Sequence, residues 1–222
     1  MDNKPLSGDE LLAAAIAFAA QKHCLQIRKG SDRDGLPGIP YIVHPMEAAA
    51  IAATMTQDRD VLAAAVLHDV MEDSGVTREE LEARFNARVA ALVSAESEDK
   101  HSGRPKADTW FLRKYATLRH LRSPHVTREE KIVCLGDKLS NLRATARDCK
   151  LLGSPYWDRF NQKDPRAIKW YYAGVGEALR ELQGCPAYEE YIALLARTFE
   201  GCGDLSDEEL AARLQGEIPY DR

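Results

Sequence analysis

The 222-residue sequence predicts a nearly all-α fold. Three observations predict it. Four Ser/Thr-x-x-Glu capping boxes punctuate the chain, apolar residues recur at helical spacing after them, and alternating β-branched runs closed by hairpin turns are scarce. A chain of this length accommodates roughly eight to ten helices.

The elements follow in order. Ser7-x-x-Glu10 opens a helix whose apolar stripe is Leu11, Leu12, Ala15, Ile16 and Ala19. Residues 29–41 contain Gly30, Gly35, Pro37, Gly38 and Pro40 and read as a loop. His44 leaves that loop just before Pro45, a residue suited to the first helical position. The stretch AAAVLHDVMEDS, residues 63–74, reads as one apolar helix that carries His68-Asp69 and Glu72-Asp73 and ends at Ser74-Gly75. Thr77-x-x-Glu80 opens the next helix, and residues 96–108, with Gly103 and Pro105, form a second loop. Thr127-x-x-Glu130 begins a long helix through Ile132, Leu135 and Leu139, and Ser206-x-x-Glu209 begins the last. Beyond Cys149 a helical subdomain could begin. Its aromatic residues, Trp170, Tyr171 and Tyr172 among them, read as packing partners rather than as a wall for a ligand.

Composition narrows the function. Apolar residues at 45% and charged residues at 29% describe a globular protein, not a disordered or membrane one. A formal charge of -5 repels nucleic-acid phosphates overall, so no nucleic-acid partner is expected, while a local basic pocket stays open. Five cysteines with no CxxC spacing read as reduced thiols, and the apolar run 11–20 is too short to span a bilayer. A cytoplasmic protein is expected. The oligomeric state is not fixed by the sequence.

Three segments carry chemistry. His68 and Asp69, adjacent at the end of an apolar helix, can share one cation if both are aimed inward, with Glu72 and Asp73 a helical turn further on. Asp137 and Asn141 are four residues apart, on a face flanked by Leu135, Leu139 and Leu142, where a carboxylate calls for a cation or donor. His44 is the third. Each also has a plainer reading alone: His68 as a helix end, Asp137 as an exposed partner of Lys138 or Arg143, His44 as structural.

Taken in order, RKG…PYIVHP…AVLHDVMEDS…LGDKLSNLRA resembles the HD hydrolase domain of the RelA/SpoT homologue family, especially its small stand-alone alarmone hydrolases. The resemblance runs from about residue 21 to 143. It implies an all-α HD-domain bundle, one domain over 1–222 with core motifs at 21–147 and helices 148–222 packed on it. It implies Mn²⁺, or another first-row divalent ion, held by His44, His68, Asp69 and Asp137. It assigns the attacking water to Glu72 and Asp73 and the nucleotide to Arg28, Lys29 and Asn141. The implied reaction is removal of the 3′-pyrophosphate of guanosine tetra- or pentaphosphate (ppGpp or pppGpp), the alarmones of the stringent response. Other readings are the same chemistry on an adenosine alarmone, the 2′-phosphate of NADPH or another nucleotide, or a non-catalytic nucleotide-binding module.

The residues agree with such a site. Two imidazoles and two carboxylates suit Mn²⁺, and the absence of thiol ligands argues against structural zinc. Three departures from the family stand out. The 29–41 loop is longer than in the small hydrolases. Cys134 and Gly136 stand where the family often has Lys and Ala, which removes a lysine suited to phosphate. After Arg147 the match is loose.

Overall fold

The computed structural model describes residues 8–32, 37–97, 105 and 107–215. Among them are eleven α-helices and no β-strand, close to the number expected. They fall into two compact units, residues 1–97, 127–141 and 184–187 in the first, and 98–126, 142–183 and 188–222 in the second.

The first unit holds α1 (Gly8–Lys22), α2 (Val43–Ala52), α3 (Arg59–Leu67), α4 (Val70–Ser74), α5 (Arg78–Arg84) and α6 (Ala87–Glu96). Helix α3 is its centre. All seven residues from Val61 to Leu67 are buried, as befits a helix apolar on every side. It packs against α1, α2 and α6, and its run of Ala63, Ala64 and Ala65 lets those neighbours approach closely. Asp58 caps it by accepting the amide of Asp60.

The single helix expected over 63–74 is divided. Helix α3 ends at Leu67, and α4 begins at Val70, with Asp69 at φ -95° and ψ -5° between them. The break places His68 and Asp69 at a junction rather than inside a cylinder. Gly75 then ends α4 in the left-handed region, φ 65°, a conformation that favours glycine. Helix α2 begins at Val43, two residues before Pro45. The loop before it is closed at its base by an antiparallel bridge between Ile27 and Pro40, with Arg28 N–H donating to Ile39 O at 2.8 Å and Tyr41 N–H to Gln26 O at 2.9 Å.

Helix α8 (Arg128–Leu152) contributes residues through Asn141 to the first unit and the rest to the second. The second unit also holds α7 (Trp110–Leu121), α9 (Pro165–Ala178), most of α10 (Pro186–Thr198) and α11 (Asp207–Gln215). Its core is aromatic: Trp110 meets Tyr171 edge-on at 6.2 Å, Phe111 meets Trp170 at 5.8 Å, and Trp157 stacks on Phe199 at 5.8 Å. Trp170, Tyr171 and Tyr172 are therefore packing residues here. Three of the four capping boxes form. Thr77 and Thr127 accept the amides of Glu80 and Glu130, and Ser206 and Glu209 cap each other reciprocally. Ser7 and residues 98–104 and 106 of the 96–108 loop lie outside the described residues.

Candidate active site

Three elements of the first unit converge. Helix α2 brings His44, the α3–α4 junction brings His68 and Asp69, and α8 brings Asp137 and Asn141. His44, His68 and Asp69 offer ligand atoms within 4.8 Å of one another. Asp137 joins them: its Oδ1 is 3.1 Å from His44 Nε2 and 3.5 Å from His68 Nε2. Asp69 Oδ2 is 2.9 Å from His68 Nε2 and 3.6 Å from His44 Nε2. Asp137 is 5% exposed, so its reading as a surface residue is overturned, although it does pair with Lys138. Arg143 instead binds Glu190.

Hydrogen bonds orient both imidazoles. His68 Nδ1 lies 2.9 Å from Ala65 O, which can only accept, so Nδ1 carries a proton. His44 Nδ1 lies 2.8 Å from Ser140 Oγ, whose own proton goes to Glu47 Oε2 at 2.7 Å. Ser140 therefore accepts from His44, and in both rings Nε2 is the atom left to face the carboxylates. His68 Nε2 is buried and faces the Asp69 and Asp137 oxygens. Two imidazole nitrogens and two carboxylates around one point, with Nδ1 of each ring tied behind, fit a first-row divalent cation.

The electrostatics agree. Burial disfavours charge on His68, but Asp69 and Asp137 outweigh it and hold the His68 pKa well above that of a free imidazole. Burial pushes His44 down. Burial alone would raise Asp69 and Asp137; the cations beside them, His68 for Asp69 and Lys138 and His68 for Asp137, hold both carboxyls low. Without a metal, a proton on His68 takes the place of the cation.

Arg28 and Asn141 reach the same cluster. Arg28 Nη2 donates to Asn141 Oδ1 at 2.9 Å, and Asn141 Nδ2 donates to Asp137 Oδ1 at 2.5 Å. Lys29 is exposed on the adjoining turn. On α4, Glu72 is half-buried and Asp73 exposed. The charge of Asp73 acts on Tyr41, whose hydroxyl donates to Asp69 Oδ2 at 2.6 Å.

The two departures on α8 have physical roles. Gly136 lies against α2, where an added Cβ would sit 2.6 Å from the backbone oxygen of Ala48. The close approach is what lets Ser140 meet both His44 and Glu47. Cys134 is fully buried, and burial with the Glu96 charge nearby pushes its thiol pKa well up. A lysine is not absent from this helix, since Lys138 lies beside the ligand group. Sequence reasoning passed over Tyr41, Glu47 and Ser140, and it offered Lys138 only as a surface partner of Asp137. Tyr41 and Lys138 adjoin motifs already recognised, and Ser140 shares its turn with Asp137.

An HD domain model matches residues 15–151. The chain belongs to the HD domain family. Among HD relatives, it is 39% identical over 139 residues to the guanosine-3′,5′-bis(diphosphate) 3′-pyrophosphohydrolase MESH1 of Danio rerio, covering 62% of this chain and 70% of that protein. It is 36% identical to the Homo sapiens protein of the same name, over 78% and 85% of the two chains. In three dimensions this HD domain matches a metazoan ortholog of SpoT, described as hydrolysing ppGpp and acting in starvation responses. The TM-score is 0.65 at 25% identity, covering 91% of this chain and 99% of that one. His44, His68, Asp69 and Asp137, and the Glu72-Asp73 pair, fall inside the matched HD segment.

Proposed function

We propose that this chain is a divalent-metal-dependent hydrolase, using Mn²⁺, that removes the 3′-pyrophosphate from guanosine tetra- or pentaphosphate to give GDP or GTP plus pyrophosphate. The observation that carries this reading is the buried group of His44, His68, Asp69 and Asp137 with both Nδ1 atoms tied away. The names of the MESH1 relatives support the substrate.

His44, His68, Asp69 and Asp137 would hold the ion. When bound, it polarises a phosphoryl oxygen and acidifies water. Glu72 and Asp73 orient the attacking water and take its proton as it adds to the phosphorus attached to the 3′ oxygen. The P–O3′ bond breaks, pyrophosphate leaves, and the 3′ oxygen takes up a proton to become the hydroxyl. Arg28 and Lys29 offset substrate charge, and Asn141 holds Arg28 in place. Tyr41 keeps its proton because burial and the Asp69 carboxylate raise its pKa, so it serves as a fixed donor to Asp69. Among the described residues no helix is long and apolar enough to cross a membrane. A cytoplasmic location is proposed from the cysteine usage, five thiols with no CxxC spacing.

Product analysis tests this. Incubation of purified protein with guanosine tetraphosphate and Mn²⁺ should yield GDP and pyrophosphate in equal amounts on anion-exchange chromatography. Release of orthophosphate, or loss of the 5′ phosphates, would contradict it. Glu72→Ala should keep its metal and lose activity by roughly a hundredfold or more. Equal loss of metal in that variant would refute the division between ligands and water-handling residues.

A further inference from the structure

A charged cavity lies wholly within the second unit, with a volume of about 860 Å³. Two helical stripes line it. Arg143, Arg147 and Lys150 follow one another at i, i+4 and i+7 on α8, and Glu190, Leu194 and Arg197 do the same on α10. That spacing places each trio on one helix face. Four cations thus meet one lining carboxylate, in a protein whose total charge is -5.

That carboxylate is already engaged. Glu190 takes a bidentate pair from Arg143, Nε and Nη2 each 2.7 Å from an oxygen, and the pair holds the Glu190 carboxyl below its ordinary pKa. Arg147 leans on the buried Asp148 at 2.9 Å. Lys150 has no ion pair or hydrogen bond among the described residues, and Arg197 has no hydrogen bond among them. Both are exposed. Leu194 gives the cavity a buried apolar floor, and Thr198, also in the lining, has a buried hydroxyl with no hydrogen-bond partner. Such a hydroxyl is costly to leave unmatched.

We infer that this cavity binds a phosphorylated small molecule at a site separate from the candidate active site. Surplus cations at the rim match phosphate oxygens, for which guanidinium groups offer paired donors. The volume fits a nucleotide, and an apolar floor with a few polar groups is the usual make-up of a ligand pocket. The residues are not those of the ligand cluster, so the site does not depend on the proposed hydrolysis.

The test is isothermal titration calorimetry on the full chain in chelator, with GDP and with inorganic pyrophosphate as probes. Wild type is compared with Lys150→Ala/Arg197→Ala, chosen because both side chains are exposed and neither packs in the core. We expect binding that weakens roughly tenfold or more in the double variant and falls with added salt. GDP binding more tightly than pyrophosphate would assign the floor to a nucleobase, and equal affinities would assign the site to a free polyphosphate. Identical titrations for wild type and variant, or no binding of either probe, would overturn the inference.

Discussion

At the scale of single residues, the candidate site is held by groups that are not themselves ligands. Ser140 is the sharpest case. It is 1% exposed and sits between His44 Nδ1 and Glu47. Ser140→Ala would remove the acceptor that fixes the His44 tautomer and leave Glu47 without that donor. We expect Mn²⁺ affinity to fall about 10- to 100-fold, the usual effect of losing such a supporting hydrogen bond. Competition against a chelator of known affinity measures it, and unchanged affinity would show that His44 needs no such support. Lys138 was readable as a partner of Asp137, but the burial of the pair was not. It follows Asp137 directly, which on a helix ought to turn it away, yet its long side chain folds back onto the Asp137 carboxylate.

Helices set how closely those residues approach. Gly136 brings α8 against α2, and a methyl group there would meet backbone, which cannot swing aside. Gly136→Ala should therefore cost about 1–3 kcal/mol of stability and also weaken metal binding, because it parts His44 from Asp137 and Ser140. Gly174→Ala is the control: its Cβ would come nearest the Leu118 side chain, at 2.8 Å, in the second unit, so metal binding should stay unchanged. Thermal melts with and without metal separate the two variants. Much at this scale was legible beforehand. The capping boxes at Thr77, Thr127 and Ser206 mark real helix starts because the cap is local chemistry, complete within four residues. The division between α3 and α4 was not legible. Periodicity runs unbroken through LHDVMED, and the interruption at His68-Asp69 is set by tertiary packing. Nor could spacing show that Arg28 meets Asn141, 113 residues away.

For the molecule as a whole, charge on the cluster ties metal binding to pH. The His68 pKa is raised by the two carboxylates, so the metal-free protein holds a proton there that the ion must displace. Metal affinity should therefore rise as pH increases through neutrality, with proton release seen by calorimetry in buffers of different ionisation enthalpy; pH-independent affinity would contradict this. Glu96 acts on stability. Burial is the main cause that lifts its pKa to about 7, so between its ordinary range near 4.5 and 7 the folded chain holds a proton the unfolded chain lacks. The metal-free protein should thus lose roughly 3 kcal/mol from this group as pH rises across that window, and Glu96→Gln should flatten the loss in denaturant titrations. The most direct measurement of the central claim is pyrophosphate release from guanosine tetraphosphate by purified protein, with Mn²⁺ and with chelator, beside Asp69→Ala. Turnover that needs Mn²⁺ and vanishes in Asp69→Ala is the expected result. A metal-loaded protein that leaves guanosine tetraphosphate intact, or a chelated one that still cleaves it, would contradict the claim.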